Sequence, residues 1–223
     1  MLFDDALTSL LSDRRTLLPV PTYVTRLAAV ARRTCAVFCD DVQIGTGLLF
    51  APSLVITSHH VWSAAEPARL SFRFTDAEEC GAEPLEPLLA SSSAPSAPHV
   101  RDAQKLDFAI VRIAMTTGLA ERAAECFSFN NNPVAGAAAS VIQWHASGPA
   151  IAVGFVERVD MQTARFYYGA RTLRGASGSP VFNDALELIG IHSGVEAVGR
   201  SRVKEAVATS AIERLVRDKH APP

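Results

Sequence analysis

Gly175-Ala176-Ser177-Gly178-Ser179-Pro180 sets a serine between two glycines late in a chain of 223 residues. A serine hydroxyl is a weak nucleophile at neutral pH. It becomes effective when a base takes its proton and a carboxylate holds that base in the right tautomer. Both partners lie upstream. Val55-Ile56-Thr57-Ser58-His59-His60-Val61 supplies a histidine, and Leu106-Asp107-Phe108-Ala109-Ile110-Val111-Arg112-Ile113 opens an apolar, strand-like run with an aspartate. Gly175 permits a sharp turn that aims its own N–H and that of Ser177 at one point, where the oxygen of a tetrahedral intermediate would sit. Gly178 lets backbone and substrate pass close to the serine.

Each of these segments also has a plain structural reading: a glycine-rich loop, a surface histidine pair, an aspartate capping a strand. Their joint occurrence in the order His, Asp, Ser, each in strand context, is what carries the chemical reading. A nucleophile elbow fits poorly, because Gly-x-Ser-x-Gly would need glycine at position 179 and a Ser, Asp, His order. Metal binding by His59 and His60 fits worse, since adjacent residues of a strand point to opposite faces. No cofactor is required by this chemistry.

Working outward, residues 34–115 read as an all-β half, with short apolar runs at Cys35 to Phe38, Gln43 to Phe50, Leu54 to Thr57, Leu70 to Phe74 and Phe108 to Ile113. A linker over 116–133 leads to a second half, 134–223. Its strands are expected at Ala138 to Trp144, Ala150 to Glu157, Thr163 to Tyr168, Pro180 to Phe182 and Leu188 to His192, with a helix over Thr209 to Lys219. Residues 1–33 form an N-terminal extension: a short amphipathic helix near Met1 to Leu11, then an irregular stretch broken by Pro19 and Pro21. The Pro-, Ala- and Ser-rich segment from Glu83 to Pro98 reads as a surface loop.

Hydrophobic residues make up 48% of the chain and charged residues 20%, a globular balance. A formal charge of −2 gives no general attraction for nucleic acid or an anionic membrane. No apolar run approaches the roughly 18 residues of a membrane span, and the acidic start lacks the pattern of a secretory signal. Cys35, Cys39, Cys80 and Cys126 show no paired spacing, so a reducing, cytoplasmic setting is expected, with Cys35 and Cys39 as buried small hydrophobes.

The three segments resemble the trypsin-like, chymotrypsin-fold serine peptidases, whose motifs run Thr-Ala-Ala-His, Asp-(Ile/Phe)-Ala-Leu and Gly-Asp-Ser-Gly-Gly-Pro. The resemblance spans residues 34 to 218. It implies an all-β fold of two packed six-stranded antiparallel β-barrels with a C-terminal helix. It implies His60 as the base, Asp107 as its partner, Ser177 as the nucleophile, and the N–H groups of Gly175 and Ser177 as the oxyanion hole. His60 and Asp107 would come from the first barrel and Ser177 from the second. A peptide or protein substrate is the expected partner, with a regulatory partner or neighbouring domain as a further one. A non-catalytic peptide-binding or regulatory module on the same fold, part of a bacterial signalling or defence assembly, is the alternative.

Two departures from the family pattern matter. Digestive members carry an acidic residue just before the nucleophile to receive an amine released by proteolysis, and here that position is Ala176. Activation by such cleavage is therefore not expected. Arg174, beside the oxyanion turn, is read as a solvated loop residue. The run from Gly175 to Asn183 also resembles that of bacterial glutamyl endopeptidases, which implies that Thr172 and His192 contact an acidic substrate side chain. An imidazole donor and a hydroxyl converging in a partly dry pocket suit a carboxylate, whereas Arg171 has the wrong sign for a pocket selecting cations. Ser193 matches a position that can hydrogen-bond the triad aspartate, and with Gly194 it would bind an extended substrate through the backbone.

Overall fold

The computed structural model describes residues 18–75, 79–81, 89–91, 106–114, 116–122, 127, 132–146, 148–198 and 201–220. The chain begins with helix α1 (Val20–Arg33), followed by strands β1 (Thr34–Cys39), β2 (Val42–Ala51) and β3 (Leu54–Thr57) and a single helical turn α2 (His59–Trp62). Strands β4 (Leu70–Arg73), β5 (Glu79–Gly81), β6 (Leu89–Ser91) and β7 (Phe108–Arg112) complete the first half. After the short helix α3 (Thr117–Arg122) come β8 (Ala138–His145), β9 (Gly148–Asp160), β10 (Arg165–Tyr168), β11 (Pro180–Phe182), β12 (Leu188–Val198), β13 (Ser201–Ala208) and helix α4 (Thr209–His220).

All pairings are antiparallel. The second half closes into a six-stranded barrel, β10-β13-β12-β11-β8-β9, whereas the first is a seven-stranded sheet in the order β5-β4-β1-β2-β3-β7-β6. This is the chymotrypsin-like, mostly β architecture the motifs imply, with one correction of detail: the described strands of the first half form an ordered sheet of seven rather than a closed six-stranded barrel. Alternating inward residues fill each half. Cys35, Val37, Leu49, Val55, Phe72 and Val111 pack inside the first, and Val141, Phe166, Tyr168, Val181 and Ala206 inside the second.

A third cluster joins the halves and so positions everything that follows. Leu48, Phe50, Ile56 and Phe108 from the first half meet Ile142, Phe182, Leu188, Ile191 and Val207 from the second, with Val30 of α1 and Ile212 of α4 added at the rim. Burying an aliphatic or aromatic side chain stabilises by about 1.5–3 kcal/mol, so this seam holds the two halves together.

Several local expectations are corrected. Pro19 and Pro21 do not break a helix but start one, since a proline in the first turn loses no intrahelical hydrogen bond. The 116–133 linker contains α3, and strand β6 falls inside the presumed Glu83–Pro98 loop. Strand β13 lacks a clean apolar alternation, because Glu205 follows Lys204 directly and Ala206, Val207 and Ala208 are all apolar. The expected helix near Met1 to Leu11, the rest of the Glu83–Pro98 loop and Cys126 lie outside the described residues. Cys35 joins the core of the first half and Cys39, partly buried, packs against it.

Candidate active site

The register of β3 against β7 builds the first part of the site. Thr57 at the end of β3 pairs with Ala109, two residues after Asp107, so the turn that follows β3 meets the residues that precede β7. There His60 Nδ1 lies 2.8 Å from Asp107 Oδ2, and the His60 backbone N–H donates to Asp107 Oδ1 at 3.0 Å. A carboxylate can only accept, so the ring proton resides on Nδ1 and Nε2 keeps its lone pair. Asp107 is buried while the His60 side chain is 47% exposed, so the ring is anchored on one side and open on the other. Asp107 holds this pose at φ 50°, a left-handed conformation that costs a non-glycine residue free energy and recurs at functional sites. His59, half-buried beside it, makes no such pair.

Ser177 lies on the turn leading into β11. Gly175 and Gly178 have φ of 85° and 86°, the left-handed region glycine enters without penalty. The glycine at 178 is also a matter of space. A Cβ there would come within 2.2 Å of both the Thr46 carbonyl and Thr57 Oγ1 and 2.9 Å of Ser58 N, so the serine turn is wedged against the segment that leads to His60. The His192 carbonyl accepts from Gly178 N–H at 2.8 Å and from Ser58 Oγ at 2.9 Å, tying both halves to one atom. Among the described residues no hydrogen bond joins Ser177 Oγ to His60. Such bonds are commonly loose in unliganded enzymes and tighten around substrate.

The turn itself is held by residues that no motif announced. Thr46, fully buried on β2, donates its N–H to the Ser177 carbonyl at 2.8 Å and its hydroxyl to the Gly175 carbonyl at 2.7 Å. Gln143 of β8 accepts from Leu173 N–H at 2.9 Å and donates to the Arg171 carbonyl at 3.1 Å, fixing the segment that carries Thr172. The available signals were a threonine between two glycines, Gly45-Thr46-Gly47, and a glutamine in an apolar strand. Among the described residues the N–H groups of Gly175 and Ser177 donate to no protein acceptor. Ala176 is buried, an apolar side chain at the position where a pairing carboxylate would stand. Arg171 and Arg174 are both exposed.

His192 sits behind the turn on β12 and is 3% exposed. Its Nδ1 lies 3.0 Å from both the Tyr168 hydroxyl and the Glu205 carbonyl. The carbonyl can only accept, so Nδ1 carries the proton and Nε2 is bare in the neutral ring. Burial lowers its pKa to about 4, reinforced by the positive charge of Lys204 and opposed by the Glu205 carbonyl. Burial also pushes the Tyr168 phenol above its ordinary value. Glu205 itself is neutralised by Arg165, Nε to Oε1 2.9 Å.

Thr172 is half-buried on the segment held by Gln143. Ser193 departs from its expected role. Its hydroxyl turns to the carbonyl and carboxylate of Glu205, 3.4 Å from each, because the β12–β13 pairing shifts register between His192 and Gly194. The nearer claims on Asp107 come from His60. A Cβ on Gly194 would meet nothing within 4 Å, so this stretch of β12 borders open space.

No curated protein matches the chain. Among solved structures, the chain is similar to neuropsin, a serine protease expressed in the limbic system of mouse brain, at 16% identity and a TM-score of 0.67, covering 86% of this chain and 95% of that one. It is also similar to a serine endoprotease from Yersinia pestis, at 19% identity and a TM-score of 0.62, covering 91% and 69%. The HtrA-type protease AlgW with a tripeptide matches at 15% identity and a TM-score of 0.65, covering 90% and 64%. At such identities these likenesses speak for the fold. The trypsin-like peptidase domain family matches residues 45–191, from Gly45, beside the threonine that holds the serine turn, to Ile191 of β12, and the chain belongs to that family of serine proteases.

Proposed function

We propose that this serine protease cleaves peptide bonds with Ser177 as nucleophile, His60 as general base and Asp107 as the residue that orients it. The observation that carries the assignment is the two-point grip of Asp107 on His60, beside a turn wedged against the same segment by Gly178. Ser177 Oγ attacks the scissile carbonyl carbon and its proton passes to His60 Nε2. Asp107 stabilises the imidazolium, and the N–H groups of Gly175 and Ser177 receive the oxyanion. Collapse expels the amine, which takes the proton from His60. Water then enters by the same route and releases the acyl group.

The reading extends to substrate preference: Glu or Asp on the acyl side of the cleaved bond, bound by His192 and Thr172, with Ser193 and Gly194 pairing to the extended peptide. What supports it is the arrangement around His192, whose Nδ1–H is already committed to the Glu205 carbonyl while Nε2 is the nitrogen left over. A carboxylate arriving at Nε2 favours a second proton there, so acidic substrates bind with proton uptake. Neutral isosteres do not. The ratio of kcat/KM for Glu over Gln substrates should rise roughly tenfold as pH falls from 8 towards 5. A flat ratio, or a peptide library cleaved best after Lys or Arg, overturns the preference.

Ala176 supports a turn that is ordered without an ion pair to a freed amine, so activity should not require N-terminal trimming. The test of the whole assignment is labelling by a fluorophosphonate, compared between wild type and Ser177→Ala. Ser177-dependent labelling of the untrimmed chain is expected. Its absence returns the chain to a peptide-binding module.

A further inference from the structure

We propose that the Thr46 hydroxyl is a positioning group for the oxyanion turn, holding the Gly175–Ala176 peptide in the orientation that leaves the Gly175 and Ser177 N–H groups free for substrate. The proposal rests on the reading of Ser177 as nucleophile and adds a residue that does not touch the reacting atoms.

The hydrogen bonds of the turn alternate. The Gly175–Ala176 peptide is pinned at both ends, its carbonyl accepting from Thr46 Oγ1 at 2.7 Å and its N–H donating to the Leu173 carbonyl at 3.1 Å. The Ser177–Gly178 peptide is pinned likewise, its carbonyl by Thr46 N–H and its N–H by the His192 carbonyl, both at 2.8 Å. The two peptides between and before these are Arg174–Gly175 and Ala176–Ser177, the latter held at its carbonyl, which accepts from Ser179 N–H at 3.0 Å. Their N–H groups are the ones without a protein acceptor among the described residues. Gly175, at φ 85°, has no side chain to limit rotation about this joint, so its orientation has to come from its bonds.

Thr46 is suited to that task because every polar group it has is committed. Its carbonyl accepts from Thr57 Oγ1 at 2.8 Å, and Trp144 N–H donates to Thr46 Oγ1 at 3.2 Å. With a lone pair of the hydroxyl taken by Trp144, its proton is directed to the Gly175 carbonyl. One buried side chain thus joins β2, β8 and the serine turn.

The test compares Thr46→Val, which keeps the shape and removes the hydroxyl, with Thr46→Ser, which keeps the hydroxyl. Thr46→Val should lower kcat about 100-fold, the scale of losing one oxyanion donor, with KM within about threefold of wild type. Affinity for a peptide boronate, which forms the tetrahedral adduct, should fall in parallel with kcat/KM. Thr46→Ser should restore kcat to within about threefold of wild type. Should Thr46→Val not fold, Thr46→Ala removes the same hydroxyl without adding a methyl group and should show the same split. Unchanged kcat in the folded variant, a loss confined to KM, or Thr46→Ser as impaired as Thr46→Val overturns the proposal. A wild-type chain that does not react with fluorophosphonate overturns instead the assignment of Ser177 beneath it.

Discussion

Two histidines flank the serine turn, and the structure treats them in opposite ways. His60, on the first half, is nearly half exposed and is gripped twice by a buried carboxylate. His192, on the barrel, is almost fully buried and meets a phenol and a carbonyl, both neutral. On the proposed mechanism the same imidazole shuttles a proton in one place, and in the other it is held neutral until an acidic substrate arrives. Residue type does not decide the role. A charged partner stabilises the imidazolium that forms during reaction, while desolvation without such a partner suppresses it.

The largest expected effect comes from removing that difference at His60. Asp107→Asn keeps the size of the partner but offers an N–H where the ring needs an acceptor, which turns the imidazole to the wrong tautomer. A fall in kcat of about 10⁴-fold is expected, with the melting temperature little changed. A loss below tenfold would mean that His60 is not the working base.

The second effect belongs to His192 and appears in stability. Its folded pKa, about 4, lies below the value near ~6.5 of an unfolded histidine. The unfolded chain therefore takes up the proton first as pH falls. Stability is complete above pH ~6.5 and declines between there and pH 4, by about 3 kcal/mol in all. His192→Gln cannot bind that proton. Urea unfolding at pH 7 and pH 5 should show a shallower loss in the variant than in wild type, and equal losses would place the ring's proton elsewhere.

How much of this contrast is legible in sequence differs between the two sides. His60, Asp107 and Ser177 stand in short segments whose neighbours are themselves diagnostic, because a nucleophile between glycines and an acid opening a strand are local patterns. Helix α4 and most strands follow from periodicity for the same reason. What could not be read is what crosses the fold. Glu205 reaches His192 through β13, a strand that lacks a clean apolar alternation. Thr46 holds the serine turn and Gln143 the segment that leads into it, each from a strand far away in sequence, and a lone polar residue in an apolar run carries no motif. Ser193 shows the limit of analogy: its position suits a bond to Asp107, but a register shift of one strand turns its hydroxyl to Glu205 instead.

The smallest expected effect isolates the neutral surroundings of His192. Tyr168 is fully buried, its ring edge-on to the imidazole at 5.9 Å and its hydroxyl 3.0 Å from Nδ1. Because Nδ1–H is donated towards the Glu205 carbonyl, the phenol oxygen shares that proton as a second acceptor. Tyr168→Phe keeps the ring packing and removes only this oxygen. Net hydrogen-bond strength sets the cost to stability at about 1 kcal/mol. The effect on selectivity has a definite sign. A second acceptor at Nδ1 eases the arrival of a proton at Nε2, so its loss should lower the Glu-over-Gln ratio of kcat/KM about threefold while leaving turnover of the Gln substrate unchanged. A fall in both substrates together would show Tyr168 supporting the turn rather than the pocket. An unchanged ratio would leave the Glu205 carbonyl as the group that sets the charge of His192.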